Sequence, residues 1–555
     1  MNQALQNRNQ RSYRAILFLI ARSALIALML SAYPVWAKPH TGALPAPTPA
    51  AVPGRVDTLG KVNFPTSCAP RVQSQIEEGV ALLHSFQYRQ AKNTFTTVSK
   101  QEPHCAIAYW GQAMSLYEQL WDWPDAKQFA EGRKDIDTAE KQKAVTPHER
   151  AYLDVARLFY QKNPEWDQDT RMKAFSDAWE KVYRQFPDDT EAAAFYALSL
   201  VALAEEGVDE TANRKSAIAV LDPLFRANPD DPGPAHYLIH AADTPDLAPQ
   251  ALDAARRYAS IAPDSSHALH MPAHIFVRLG LWPEAIESNL AAAKAAAEAT
   301  RTGRADMHYQ VHAMDFLDYA YLQAGDQAAA RQVTEDLKNV VGASAQQVAD
   351  HQADFRARAA LELHQWKEAE SLPVPSSQPR WQETTYWVRT IGAARNGDVA
   401  EAQKDLAKLQ ESISAQADKS KKKGPSSGDD DTRVQEAQAW VTFAQGKVED
   451  AVKMLRTAAD ADDALEVEAI SMPAREMLAD MLLQAKRSPE ALHEYEFTLR
   501  ESPNRFDALY GAAHAAESAG RAEDARKYFA KLVASSIPSA DRPELQEART
   551  YIAAN

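Results

Sequence analysis

Seven histidines (His236, His240, His267, His270, His274, His308 and His312) fall within 77 residues of a 555-residue chain that holds 15 in all. An even spread would leave about two there. His236 and His240 are four residues apart, as are His270 and His274, which on a helix stacks both rings of each pair on one face. The pairs themselves recur at an interval of 34. Imidazoles and a carboxylate converging from neighbouring helices make a site for zinc, copper, nickel or iron, because these ions accept nitrogen donors. Asp243 and Asp315 are the carboxylates placed to be ligands or to orient a ring through its second nitrogen.

The interval of 34 belongs to the whole chain. An alanine is followed four residues later by a large residue and twelve later by a proline at Ala91, Phe95 and Pro103, at Ala217, Leu221 and Pro229, and at Ala491, Tyr495 and Pro503. Ala251 with Pro263 keeps the outer spacing, and Ala217, Ala251 and Ala285 stand 34 apart. Turn signals such as Gly280, Gly325, Gly397, Gly446 and Gly520 precede anchor alanines, with His364 where glycine is usual before Ala369. Small alanines let helices approach closely, glycine ends a helix in the left-handed region, and proline marks the break before the next pair. This pattern resembles the tetratricopeptide repeat, a helix pair that buries its apolar face only by stacking on its neighbours. The resemblance implies an all-α solenoid of about ten such pairs forming a superhelix with a concave groove.

In that family the first helices line the groove, and the second, fifth, ninth and twelfth repeat positions face it. The resemblance thus places His236, His240 and Asp243 from one repeat beside His267, His270 and His274 from the next and His312, Asp315 and Tyr319 from a third. The expected metal set is His236, His240, His270, His274, His312, Asp243 and Asp315. His267, His308, Tyr319, Trp110 and Tyr117 are expected to line the groove. Two other uses of the histidines stay open: a groove for an acidic or polar peptide without metal, and structural rings, since Pro272 interrupts the helix beside His270. The isolated His84, His104, His148, His351, His493 and His514 are read as structural. The stretch His267 to Phe276, Leu82 to Phe86 and Cys105 to Gly111 are also similar to a group of bacterial secreted tetratricopeptide proteins, which implies export and supplies no activity.

The compartment has its own signals. Arg8, Arg11 and Arg14 precede an apolar run from Ala15 to Ala32, and Val35-Trp36-Ala37 is a cleavage-type sequence, so residues 1–37 are expected to be a signal peptide. Arg22 leaves too short an apolar run to span a bilayer comfortably, so no membrane span is expected after cleavage. Residues 38–65, rich in Pro and Ala, are expected to be a tether. The array is expected over 66–411, a flexible loop carrying Lys421-Lys422-Lys423 and Asp429-Asp430-Asp431 over 412–433, and further repeats over 434–555. In a periplasmic or secreted protein Cys68 and Cys105 are expected to form a disulfide.

A net charge of −15 argues against nucleic acid as a partner. No phosphate loop, dinucleotide fingerprint, HExxH or GxSxG motif occurs. The sequence therefore reads as an exported scaffold that binds a partner protein or peptide, with a histidine site for a divalent transition metal. The alternative is a hydrolase-like metal enzyme or a metal carrier, for which Asp243 and Asp315 are the general bases that can be nominated.

Overall fold

The computed structural model describes residues 58–142, 145–163, 165–375, 379–420, 428–464 and 470–554. The expected signal peptide and most of the tether lie outside these residues. Among them no strand forms, and the chain runs as helix after helix, each packed chiefly on its sequence neighbours. The all-α solenoid of tetratricopeptide-like helix pairs is the observed architecture. Its anchor alanines are fully buried: Ala91, Ala217, Ala251, Ala285, Ala402, Ala451, Ala491 and Ala525 each have no exposed surface.

Local signals start and stop the helices that matter for the site. Asp231 accepts from the Gly233 amide at 3.0 Å and Pro232 opens the helix Pro232–Ala241. Ser265 accepts from the Ala268 amide and starts Ser266–His270, and Pro272 then divides that helix from Pro272–Arg278. The helix Met307–Gln323 begins at Asp306, which accepts from the His308 amide. Gly280 ends the preceding helix at φ +64°, and a Cβ there would stand 2.0 Å from the Pro503 carbonyl oxygen, so glycine is required twice over.

The described residues form two compact units. One comprises 58–363 together with 470–554, and the other comprises 364–464. The chain therefore leaves the first unit and returns to it, so the repeats after 470 are not a separate C-terminal array. Within this unit the return is sealed by polar contacts. Asn504 donates to the Gly280 carbonyl, Trp282 donates to the Asn504 carbonyl, and Arg505, with no exposed surface, pairs with Glu362 and Glu476. In the other unit the Arg395 guanidinium lies between the rings of Trp366 and Trp440.

Two boundaries differ from expectation. The loop expected over 412–433 is helical up to Ser420 and again from Gly428. Helix propensity of Ala415, Gln416, Ala417 and Lys419 outweighs the polarity that suggested a loop. The tether also ends before residue 65: Leu59 and Phe64 are buried, and the Phe64 ring stacks on Trp110 at 5.5 Å. Cys68 and Cys105 are joined in a disulfide across a separation of 37 residues. Closing a loop of that size stabilises the fold by about 3–4 kcal/mol through the unfolded chain.

Candidate metal centre

Six of the seven clustered histidines come together, in two groups of three. His236, His240 and His267 form one triad and His270, His274 and His312 the other, each with ring nitrogens within 4.8 Å of one another. In the first, His236 Nε2 is 3.0 Å from His267 Nε2 and 3.1 Å from His240 Nε2. In the second, His270 Nε2 is 3.0 Å from His274 Nε2, and the rings of His270 and His312 are 4.4 Å apart. The four-residue spacing delivers two rings per helix face. The helix Ser266–His270 contributes one ring to each triad, His267 to the first and His270 to the second, and His274 joins the second from beyond the break at Pro272.

The other nitrogen of several rings is already committed. His236 donates Nδ1–H to the His84 backbone carbonyl at 2.6 Å, and His274 donates Nδ1–H to Asp243 at 2.8 Å. His270 donates Nδ1–H to Asn289 Oδ1 at 2.7 Å, while the amide nitrogen of Asn289 donates to Ala285 and fixes which end faces the histidine. Carbonyl and carboxylate oxygens only accept, so each of these rings donates from Nδ1 and turns its Nε2 toward the other rings of its triad. The Nε2 atoms of His270 and His274 therefore face one another. Such outer hydrogen bonds are how proteins orient imidazole ligands toward an ion.

Burial disfavours the charged form of five of the six rings. Burial pushes the His236 and His312 imidazoles down to about 3, and it holds His240, His267 and His270 well below the ordinary histidine range. Burial alone would raise Asp243, but Arg278, at 2.9 Å from its carboxylate, and His274 outweigh it and hold the acid far below the usual range. Asp243 is thus an anion that orients His274.

Several expected site residues sit elsewhere. Asp315 is buried and ion-paired with Arg358 at 2.6 Å, so its charge is spent and it joins neither triad. With Asp243 held by Arg278, neither nominated carboxylate is available as a general base. Tyr319 is buried and accepts from Arg505 at 2.9 Å. His308 is exposed on Asp306. Trp110 and Tyr117 are core: Trp110 packs against Phe64, Tyr152 and Phe195, and Tyr117 stacks on Phe159 at 4.4 Å. Their helical spacing is that of a buried face, which periodicity alone does not distinguish from a groove. His267, expected only to line the groove, belongs to a triad. The site as a whole is a buried cluster rather than an open groove floor, because His236, His267 and His270 are buried and only His240, His274 and His312 are half-buried.

Other residues complete the site. Phe86 lies 4.4 Å from the His236 ring and stacks on His240 and His267, Trp121 meets His267 edge-on at 4.9 Å, and Phe316 walls the second triad. Phe86 stands five residues before Ala91, the turn position that glycine holds before Ala285 and Ala330, and it adopts φ +53° there. An aromatic residue in the left-handed region is strained. His84 sits behind His236, its ring between Glu191 at 2.6 Å and the Tyr237 hydroxyl at 2.8 Å. Burial lowers His84 to about 4 and raises Glu191 to about 8, so the neutral acid donates to the ring. Glu362, Glu476 and Asp507 also cluster, but the Arg505 and Arg542 guanidinium groups occupy that space.

A tetratricopeptide repeat family model matches residues 436–496 and 476–540. Among solved structures, the crystal structure of yeast Tom70 is similar at 14% identity and a TM-score of 0.31, with 81% of this chain and 95% of that chain covered. No curated protein matches the chain. The chain thus carries tetratricopeptide repeats, matched over 436–540. Among the described residues no helix is long and apolar enough to cross a membrane.

Proposed function

We propose that this protein is a metal-binding helical scaffold whose two histidine triads each take a divalent transition metal ion. The observation that supports this most is the facing of His270 Nε2 and His274 Nε2, 3.0 Å apart with both Nδ1–H groups donated outward. Two ring nitrogens turned on one another at that distance share a cation, a proton or a metal ion, and His312 completes three donors around it. Three imidazole nitrogens with no carboxylate among them suit copper, zinc or nickel. The basic start and apolar run of residues 1–37 and the Cys68–Cys105 disulfide support an exported protein.

Metal analysis of protein purified without a histidine tag tests the reading. Copper or zinc is expected to co-purify or to be taken up on addition, with a rise in the thermal midpoint, since an ion at 100 times its dissociation constant stabilises by about 2.7 kcal/mol. Less than about a tenth of an equivalent of any transition metal, with no shift in the midpoint on adding either ion, would sink it.

The repeats matched over 436–540 support a second role, in which the scaffold docks a partner protein or peptide. A pull-down from an envelope extract that recovers the same proteins with a deletion of residues 436–540 as with the full chain counts against it.

A further inference from the structure

The two triads are not separate sites in space. The His240 and His274 rings, one from each triad, are 6.4 Å apart, and so are His267 and His270. Within the triads the corresponding spacings reach 6.2 Å for His240 and His267 and 6.0 Å for His274 and His312. The gap between triads therefore matches the gap inside them, and the six rings form one continuous cluster. The fold also orders the cluster by depth. His236, His267 and His270 are buried, whereas the half-buried rings come from both triads, His240 from the first and His274 and His312 from the second. Each triad thus presents at least one half-buried ring toward solvent.

We propose, building on the metal reading above, that the triads are the two halves of a single dinuclear copper centre, in which the ions share one small bridging oxygen donor, hydroxide in the resting protein. Each ion takes three imidazole nitrogens, leaving a coordination position open, and the two open positions meet between His240 and His274. Six imidazoles and no carboxylate select copper over ions that prefer oxygen donors, because nitrogen donors and the position of copper(II) at the top of the divalent affinity order act together. The inner set also contains no aspartate or glutamate able to bridge two ions, since Asp243 is turned toward Arg278 and Asp315 toward Arg358. The bridge must then come from solvent. Such a centre would take small oxygen donors and anions that span two metals.

Copper content and electron paramagnetic resonance, measured together on the full chain loaded with copper(II) and freed of loose ions by gel filtration, test the proposal. Two coppers per chain are expected, with an integrated signal far below the copper content because the bridged spins pair. His312→Ala, which breaks one triad, is expected to hold one copper with a full one-spin signal, and His240→Ala is expected to do the same from the other side. Circular dichroism checks that each variant is folded. Two coppers with a full two-spin signal, or a single copper in the wild type, would overturn the shared centre and leave metal binding intact. No retained copper would overturn both.

Discussion

Asp243 accepts the Nδ1–H of His274 at 2.8 Å while Arg278 holds the same carboxylate from its other side at 2.9 Å. Of the two uses expected for Asp243, ligand or orienter of a ring, its contacts are those of the anion that aims a ring. Negative charge behind the ring fixes its tautomer and raises the basicity of Nε2, the atom that faces His270. Asp243→Asn keeps the volume and an acceptor oxygen but removes the charge. Metal affinity of the second triad is expected to fall about 10–100-fold, while the first triad is untouched. Calorimetric titration with zinc checks this, the expected outcome being one weakened step and one unchanged.

Phe86 supplies a second test, because backbone and side chain pull in opposite directions there. At φ +53° a glycine would relieve about 1–3 kcal/mol of strain. The buried ring that packs on His236, His240 and His267 would be lost, at about 3–5 kcal/mol. Phe86→Gly is expected to be destabilised overall and to bind metal more weakly at the first triad. At the equivalent turn His364, with φ +50°, is not fully buried, so His364→Gly is expected to be neutral or stabilising. Urea midpoints of the two variants, lowered for Phe86→Gly and unchanged or raised for His364→Gly, decide the matter.

The contrast between Phe86 and Gly280 shows what was legible in the sequence. Gly280 announced its turn because only a glycine tolerates both the conformation and the approach of Pro503. Phe86 takes the same conformation for a reason that lies 150 residues downstream, in the rings it supports. The helix pairs and the convergence of His236, His240, His270, His274 and His312 follow from spacing, because a period of 34 and a step of four are local rules. The division into two triads falls between His267 and His270 on one short helix and depends on how adjacent helices are rotated, which no local rule states. Trp110 and Tyr117 were misplaced for a related reason: a helix in a stack has apolar neighbours on more than one side.

Asp315 and Asp318 share one cation, Arg358, at 2.6 and 3.3 Å. Burial, against the pull of Arg358, raises Asp318 to about 8 from an ordinary value of 3.8. The folded state therefore binds the proton more tightly than the unfolded state. Its contribution to stability is complete below about pH 4 and is lost as pH rises through about 8. Asp318→Asn imitates the protonated acid and is expected to flatten that decline, its advantage over wild type being larger at pH 8.5 than at pH 5 by about 1 kcal/mol or more. Urea unfolding at the two pH values measures it.

Arg505 carries the longest-range prediction. It pairs with Glu362 at 2.8 Å and Glu476 at 2.7 Å and donates to Tyr319 at 2.9 Å, with no exposed surface of its own. Tyr319 stands on the helix Met307–Gln323, which also carries His312. The returning segment 470–554 is thereby tied to the helix that supplies the third ring of the second triad. Arg505→Met leaves two buried carboxylates without their cation, and breaking a buried pair from one side costs about 3–5 kcal/mol. Replacing the group together, as Arg505→Met with Glu362→Leu and Glu476→Leu, removes the unpaired charges and is expected to recover most of that loss. Hydrogen exchange should report faster opening of 307–323 and 506–518 in the single variant. Copper titration of the same protein should show the second triad weakened although none of its ligands has changed, and the triple variant should restore it. Destabilisation with unaltered metal affinity would show instead that the clasp secures the returning segment without positioning His312.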